Sequence, residues 1–473
     1  MTPLLAGVLF CLKDGKSIAD IYIPLGGWSD EITYYKQVDA LVNGGGIKGF
    51  FGFNQSQAPI GGFAYWGPLP IIPYVLWGLI FGWNYSAPIY ANIFFVALGI
   101  AVVLLVTRPK LIHIVFFIIA MFSSPMVLRH MLSGVAEPMY FMLLMIAVAC
   151  ALDYFKEDKF KTASFVICLI AISLLTMMRG YYAVLYLIPF WKCVKKKKAI
   201  PWVIGSAIVA VIGFALIRKF FCASYYGGVI GTDIADSIKS FGTNIILMAK
   251  YVWYAIRYRD GMVPWCYVLW ITSMLCMGVD FTVYYINNKK VKETVLQTLI
   301  MNTSVFVAIF VLYDVGVGGR HLLTMTVVNF VVMLVDMDYR YFISTIIVGV
   351  AAFFLMNQIE RLPYVDEEYA LWMAELEEDF RECIVLTDDL SADNCMAMPT
   401  SDDNECTYYG YMFAAPAGMG VSLDEREFYN DPSNLTADYI MVHPYGSARY
   451  ILEDAGYECI YECDKLMLYH SCD

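Results

Sequence analysis

The chain has 473 residues, of which 59% are hydrophobic and 16% are charged. An ordinary soluble protein is roughly half apolar and about a quarter charged, so this composition excludes a typical soluble enzyme. Several apolar runs approach the roughly 20 residues that a helix needs to cross a bilayer. The composition therefore predicts a polytopic α-helical protein surrounded by membrane lipids, and nucleic acid is not an expected partner.

The charge is divided unevenly along the chain. From Asn357 onward there are 26 Asp plus Glu and 5 Lys plus Arg, whereas the preceding part has 17 acidic and 27 basic residues. A change of this size indicates a change of solvent. We therefore predict a membrane domain over residues 1–356 and a small, acidic, water-exposed α/β domain over residues 357–473.

The first 12 residues are apolar but too short to cross a bilayer, and they lack the basic start of a signal peptide. We interpret them as the end of a truncated first helix. The first outer loop then covers residues 13–87. Its residues 26–31 form a polar loop in which Asp30 and Glu31 stand side by side. Adjacent acids in a loop are most often solvated, so their interest depends on which side of the membrane they face.

The second half of this loop, residues 44–83, is rich in glycine, proline and aromatic residues. This composition is typical of a folded loop at the membrane surface, where tryptophan side chains anchor. Residues 69–83 are predicted to form a short interfacial helix that does not cross. A crossing here would move every later loop to the opposite side.

Basic residues mark the cytoplasmic ends of the later spans, because positive charge is retained on the inner side. The basic clusters occupy residues 108–110, 156–161, 192–198, 289–292 and 340. Apolar runs alternate with them at 88–106, 111–128, 138–153, 162–178, 181–191, 199–217, 265–285, 294–312, 322–336 and 341–356. With the truncated first helix this gives about 11 spans. The 181–191 run is short and must tilt, thin the bilayer locally or be partly buried.

This topology places five polar stretches on the outer side. They comprise residues 26–31, 129–138, 178–182, the long loop 218–264, and 313–321. Charged side chains at membrane depth are costly and tend to be functional. The outer face therefore combines acids with bases. The candidate residues are Asp30, Glu31, Glu137, Arg179, Arg257, Arg259, Arg320 and His321.

A donor that fits this arrangement is a sugar joined to a polyprenyl phosphate, with its lipid in the bilayer and its sugar outside. Arg179 and Arg320, each at the outer end of a span, suit phosphate oxygens because a guanidinium binds them through a planar fork. His321, Arg257 and Arg259 are further candidates for binding the lipid phosphate.

Asp30 is the predicted general base, which accepts the hydroxyl proton as the acceptor attacks the anomeric carbon with inversion. Glu31 completes the candidate catalytic pair, and Glu137 is predicted to orient the acceptor. Asp30 and Glu137 also form a candidate site for a divalent cation, Mg²⁺ or Mn²⁺, because both prefer hard oxygen ligands.

Structural roles compete with each of these assignments. Arg179 and Arg320 could anchor the interface by snorkelling. Glu137, which precedes a proline, could simply favour the positive end of a helix dipole. His321 could form a local hydrogen bond, and Arg257 could belong to a solvated loop.

The order of several short motifs resembles the GT-C superfamily of polyprenyl-phosphate-sugar transferases. It is similar to the branch of protein O-mannosyltransferases and lipid A aminoarabinose transferase. In chain order the motifs are the acidic pair, APIGGFAYWGPL at 58–69, LIFGWN at 79–84, GVAEP at 134–138, MMRGYY at 177–182 and GGRHLL at 318–323. The resemblance covers roughly residues 20–340 and implies a GT-C-like fold.

The resemblance also implies roles for individual residues. It makes Asp30 the base and links Glu137 to metal or acceptor. Arg179 and Arg320 become the basic residues near the lipid phosphate. Two departures concern the phosphate and acceptor sites, because residues 58–61 read Ala-Pro-Ile-Gly where relatives often have lysine-proline-proline, and Arg179 replaces the usual lysine before glycine.

In the acidic domain, periodicity predicts helices over 366–382 and 447–454, the second ended by Gly456, and short strands over 383–387, 439–442, 458–461 and 466–469. Six cysteines fall in this domain, at 383, 395, 406, 459, 463 and 472. Their even number allows disulfides outside the cytoplasm, with the pairing open. A metal site built on Cys459 and Cys463 is the less favoured alternative.

The sequence thus predicts a multi-pass membrane glycosyltransferase whose acidic domain faces the extracytoplasmic side. Its acceptor, whether glycan, lipid or protein, is undetermined. The main alternative is a polytopic transporter or lipid flippase without transferase chemistry, although such proteins often carry inverted repeats and we find none. A third possibility is a membrane anchor that presents the acidic domain as a binding module.

Overall fold

The structure is a computed structural model. It describes residues 1–26, 28–156, 161–194, 197–224, 234–258, 261–313, 315–355, 362–386, 394–400 and 408–472. The first part of the chain forms a helical bundle. Its helices are α1 (Thr2–Leu12), α2 (Ser29–Val42), α3 (Ile72–Phe81), α4 (Ala87–Thr107), α5 (Leu111–Phe122), α6 (Pro125–Met131), α7 (Glu137–Lys156), α8 (Thr162–Met178), α9 (Leu187–Cys193), α10 (Ile200–Phe221), α11 (Ile234–Tyr258), α12 (Met262–Asn288), α13 (Glu293–Leu312), α14 (Val315–Asp336) and α15 (Phe342–Leu355).

Six helices in the described ranges are long and apolar enough to cross a membrane: α4, α7, α10, α12, α13 and α14. The number is seven if α5 and α6, which meet at 73°, count as one broken span. The predicted total of about 11 is therefore not confirmed. Helices α1, α8 and α15 are apolar but shorter.

Two predicted segments have a different structure. Residues 181–191 do not form one tilted span, because a 3₁₀ helix over Gly180–Tyr186 leads into the seven-residue helix α9. The long outer loop expected over residues 218–264 instead contains the 25-residue helix α11. By contrast, α3 is a ten-residue helix, too short to cross, as the sequence predicted for this region.

The acidic pair does not lie in a loop. Ser29 begins helix α2, so Asp30 and Glu31 occupy its first turn. Acidic side chains are favourable there because they face the positive end of the helix dipole. The polar residues at 26–31, which predict a loop, are therefore also typical of the beginning of a helix.

The C-terminal part contains two helices, α16 (Glu367–Cys383) and α17 (Ala448–Asp454), and most of a six-stranded sheet. Its strands are β1 (Lys48–Phe53), β2 (Cys395–Pro399), β3 (Met419–Asp424), β4 (Tyr439–Val442), β5 (Tyr457–Glu462) and β6 (Met467–Ser471). Their order is β1-β3-β2-β4-β6-β5. The pairs among β1 to β4 are parallel, whereas β4/β6 and β5/β6 are antiparallel.

Both helices and the last three strands agree with the sequence prediction to within two residues. The strand expected over 383–387 is wrong, because Cys383 ends α16 and residues 384–386 carry no strand. Five of the six cysteines lie in the described residues, and no disulfide joins any two of these five. Cys406 lies outside the described residues.

The sheet is not built from the C-terminal segment alone. Strand β1 comes from the first outer loop and pairs with β3, with Phe51 opposite Val421. The two segments are also joined at Lys36 of α2, a buried side chain whose ammonium donates to the carbonyl of Ala415. The first outer loop and the C-terminal segment therefore pack together as one unit.

Candidate active site

Asp30 contacts a residue that is distant in sequence. The Arg320 guanidinium, in the second turn of α14, donates through Nη1 to the Asp30 carboxylate Oδ2. About a fifth of each side chain stays exposed, at 17% for Asp30 and 27% for Arg320. The pair is thus accessible to solvent, whereas a second carboxylate beside it is buried.

That second carboxylate belongs to Glu137, the first residue of α7. Its side chain is only 1% exposed. Its Oε1 accepts a hydrogen bond of 3.0 Å from Arg179 Nη2 and lies 4.0 Å from Arg320 Nε. Pro138 follows at the first turn, where its missing N–H leaves no donor unpaired. Glu137 therefore joins the two arginines to each other.

Arg179 is the residue that caps α8, and its guanidinium is held on three sides. Besides Glu137, its Nη1 lies 2.8 Å from Nδ1 of His321. The Tyr140 ring centroid lies 4.0 Å from its central carbon. Because a guanidinium can only donate, Nδ1 of His321 is the acceptor. The histidine is therefore neutral here, with its proton on Nε2.

We call Asp30, Glu137, Arg179, Arg320 and His321 the charged cluster. All five were predicted as site residues, and they come from four separate segments of the chain. Their contacts leave several buried atoms of the described structure without a hydrogen-bond partner. These atoms are Oε2 of Glu137, Nε2 of His321, Nε of Arg320 and the hydroxyl of Tyr140. Buried polar groups are nearly always paired in proteins, so these atoms retain the capacity to form further hydrogen bonds.

Glu31 points elsewhere, although it is adjacent to Asp30. Its side chain is buried, and Oε1 accepts a 2.7 Å hydrogen bond from the backbone N–H of Gly134. Gly134 belongs to the turn that precedes Glu137. A Cβ atom at Gly26 would lie 2.8 Å from the backbone carbonyl oxygen of Ile23, so this position favours glycine. Glu31 thus ties the start of α2 to the turn that presents Glu137.

The C-terminal segment contacts the residues just before helix α2. The hydroxyls of Tyr408 and Tyr409 each donate to the carbonyl of Gly26 at 2.9 Å. This carbonyl lies four residues before Asp30. The position of the Asp30 carboxylate is consequently set by contacts from both the bundle and the C-terminal segment.

A cation site at Asp30 and Glu137 is not confirmed by the described structure. Asp30 and Glu137 supply only two carboxylates, and both lie against the guanidinium of Arg320. Across the described ranges, no group of three or more His, Cys, Asp or Glu side chains could hold a metal ion. The positive charge near these acids comes from the arginines.

One predicted phosphate-binding residue, Arg257, is not part of the charged cluster. Arg257 is exposed near the end of α11, with its guanidinium carbon 5.3 Å from the Tyr258 ring centroid. No hydrogen bond or ion pair in the described structure joins it to the cluster. Arg259 lies outside the described residues.

Three residues beside the cluster were not predicted. Tyr140 stacks on Arg179, and the Tyr181 hydroxyl lies 3.1 Å from His321 Nδ1. The Tyr313 ring lies 4.4 Å from the His321 ring. Tyr140 is three residues after Glu137 and so on the same helix face, a spacing that could have identified it. The other two carry no such signal.

Two crystal structures of ArnT from Cupriavidus metallidurans have the same fold. The structure bound to undecaprenyl phosphate is 10% identical in sequence, with a TM-score of 0.54, and the match covers 99% of this chain and 96% of that chain. The apo structure is also 10% identical, with a TM-score of 0.53 and coverage of 98% and 96%. No protein-family model and no curated protein sequence matches this chain.

This likeness confirms the GT-C-like fold that the sequence motifs implied. It extends over nearly the whole chain, including the C-terminal segment beyond the roughly 20–340 region in which the motifs occur. At 10% identity the likeness concerns the fold alone.

Proposed function

We propose that this protein is an integral-membrane glycosyltransferase that moves a sugar from a polyprenyl-phosphate carrier to an acceptor on the extracytoplasmic side. The observation that carries the proposal is the charged cluster, in which two arginines and two carboxylates meet at one end of an apolar bundle. The fold of ArnT, whose crystal structure holds undecaprenyl phosphate, supports the same donor class.

The two arginines suit the donor phosphate. Arg179 is held by Glu137, His321 and Tyr140, so its guanidinium is oriented before any ligand arrives. Arg320 is more exposed, and its Nε has no hydrogen-bond partner. A phosphate placed between them would accept charge-assisted hydrogen bonds, which are roughly twice as strong as hydrogen bonds between neutral groups.

Asp30 is the proposed general base. Its present partner, Arg320, is the residue expected to turn toward the phosphate. Donor binding would therefore weaken the Arg320–Asp30 contact and leave the carboxylate free to accept a proton. The acceptor hydroxyl then gives its proton to Asp30 while its oxygen attacks the anomeric carbon.

The bond between the anomeric carbon and the phosphate oxygen breaks in the same step, and the polyprenyl phosphate leaves as an anion held by the arginines. Attack from the opposite face inverts the anomeric centre. The leaving phosphate is already a stable anion, so no general acid is needed. The acceptor is a glycan, lipid or protein that presents a hydroxyl group.

We assign positioning roles to Glu31 and His321. Glu31 bonds to the turn before Glu137, and His321 accepts from Arg179, so each acts through another residue. No step is routed through a metal ion, because the arginines already supply the positive charge beside Asp30 and Glu137. The acidic C-terminal segment, packed over the first outer loop, faces the acceptor side in this proposal.

The decisive experiment compares the two adjacent acids in purified protein reconstituted with a polyprenyl-phosphate sugar. Asp30→Asn removes the base while keeping the shape of the side chain, and should lower the transfer rate by about 10²- to 10⁴-fold. Glu31→Gln is the matched control. Its amide oxygen still accepts from Gly134, so we expect a loss of no more than about tenfold.

Transfer at the wild-type rate by folded Asp30→Asn protein would contradict the role of Asp30. Equal losses in both variants would show that the first turn of α2 acts only through its structure. If the wild-type protein moves lipid or solute across vesicles but transfers no sugar, the transporter or flippase alternative is correct.

A further inference from the structure

Helix α11 has an unusual surface for a segment between two membrane spans. It has 25 residues and is about 37 Å long at 1.5 Å per residue. It is not among the helices apolar enough to cross a membrane in the described structure. Its described side chains divide into three stripes, one of which packs against the protein.

The packed stripe fixes α11 to the end of the bundle that carries the charged cluster. Asn244 is buried and donates to the carbonyls of Phe310 and Tyr313, at 2.8 and 2.9 Å. These carbonyls belong to the end of α13, immediately before α14 begins. Because α13 and α14 are candidate spans, their junction marks the level of the membrane surface, and Asn244 of α11 lies at that level.

The second stripe is apolar and exposed. Ile238 is 67% exposed, Ile246 is 61% exposed and Trp253 is 55% exposed. Ile246 and Trp253 are seven residues apart, close to two helical turns, so they share a face. Apolar surface of this extent would be unfavourable in water, at roughly 25 cal/mol per Å². It suits contact with acyl chains.

The third stripe is basic and runs beside the apolar one. Lys239, Lys250 and Arg257 are all exposed. Their spacings of 11 and 7 residues are close to three and two helical turns, so the three charges align along one face. Residues 238–258 contain no Asp or Glu. Nothing on this part of the helix neutralises the stripe.

We propose that α11 is an interfacial helix whose exposed face binds anionic phospholipid of the leaflet next to the charged cluster. The apolar stripe would enter the acyl region, and the basic stripe would contact lipid phosphate groups. A helix whose exposed face combines tryptophan and aliphatic residues with an adjacent row of basic residues suits a membrane interface. Arg257 therefore binds bulk lipid rather than the sugar donor.

The first test measures lipid preference. Full-length protein in detergent is titrated with phosphatidylglycerol or phosphatidylcholine, and bound lipid is counted by native mass spectrometry. The Lys239→Gln/Lys250→Gln/Arg257→Gln variant should bind phosphatidylglycerol about tenfold more weakly than wild type, because each basic residue contributes attraction to an anionic surface.

The matched control removes the same charge from the opposite end of the bundle, as Lys197→Gln/Lys198→Gln/Lys290→Gln. These lysines are also exposed, and their loss should leave the α11 component of binding unchanged. Inorganic phosphate is added as a competitor. Displacement of the lipid by phosphate alone would reduce the site to a simple anion site and overturn the proposal, as would equal binding of both lipids by wild type.

The second test locates Trp253. Wild type and Trp253→Phe are reconstituted in nanodiscs, and the difference in their emission reports on this side chain. Brominated acyl chains should quench that difference, whereas aqueous iodide should not. Quenching by iodide alone would place the stripe in water and contradict the proposal. Neither test uses sugar transfer, so both are independent of the proposed enzyme activity.

Discussion

Two buried polar clusters join the first outer loop to distant parts of the chain, and they differ in how completely their atoms are paired. The charged cluster links Asp30 to α7, α8 and α14. The second, the Asp424 cluster, consists of Asp424 with Gln55, Ser422 and Tyr429 at the end of β3. In it, Asp424 Oδ1 accepts from the Gln55 N–H and the Ser422 hydroxyl. Its Oδ2 accepts from the Gln55 amide and the Tyr429 hydroxyl.

Each carboxylate oxygen of Asp424 thus accepts two hydrogen bonds, and the side chain is fully buried. The charged cluster combines two arginines with unpaired buried atoms on Glu137, His321 and Arg320. A completely paired buried cluster favours one conformation. The difference supports a structural role for the Asp424 cluster and agrees with the ligand-binding role proposed for the charged cluster.

The largest expected effect is on sugar transfer, and it comes from substituting the two arginines of the charged cluster. Arg179→Gln and Arg320→Gln should each lower sugar transfer by about 10²-fold, as for the loss of one preorganised donor to a developing anion. The double variant should lose less than the product of the two, because both arginines act on Glu137 and one phosphate. Initial rates at saturating and limiting donor measure both effects.

Arg340→Gln is the control for these variants. Arg340 is 72% exposed and pairs with Asp338 at the surface, so its loss should not change transfer. Strictly multiplicative losses in the Arg179 and Arg320 double variant would indicate two independent sites rather than one.

The next effect concerns stability instead of activity. Asp424→Ala leaves the donors of Gln55 and Tyr429 buried without an acceptor, which should cost about 2 kcal/mol in the free energy of unfolding. Thermal unfolding in detergent, followed by tryptophan emission, measures the shift. Transfer per folded molecule should stay at the wild-type level. A selective loss of transfer without loss of stability would break the distinction between the two clusters.

The smallest expected effect follows from metal removal. Treatment with EDTA should change the transfer rate by less than about twofold, because guanidinium groups occupy the places beside Asp30 and Glu137 where a cation would supply charge. Cation support by these two acids, which the sequence suggested, would appear instead as a loss of transfer that Mg²⁺ or Mn²⁺ restores.

The sequence was most informative where one physical signal dominates. Hydrophobic length predicted a run at 88–106 and the structure has Ala87–Thr107, because an uninterrupted apolar stretch has few alternatives to a helix in a membrane. Apolar periodicity similarly predicted the helix at 366–382. In the structure it begins after Asp366, whose side chain accepts from two backbone N–H groups.

Segments with mixed signals were predicted less well. The sequence predicts a loop where the structure has helix α11, because apolar and basic residues are mixed along this part of the chain. They fall on separate faces only in a helix, where successive residues are turned by 100°. Strand β1 was not predicted at all. Its six residues read KGFFGF, and their strand geometry depends on pairing with β3, more than 360 residues away.

The sequence by itself determined that the protein is a helical membrane protein with acids and bases gathered at one side, because hydropathy and charge act locally along the chain. Only the tertiary structure decided which of these charges meet. Asp30 and Glu31 are neighbours in sequence, yet consecutive residues of a helix point in different directions. One carboxylate therefore reaches Arg320 and the other the turn before Glu137, a distinction that depends on the packing of α2 against the bundle.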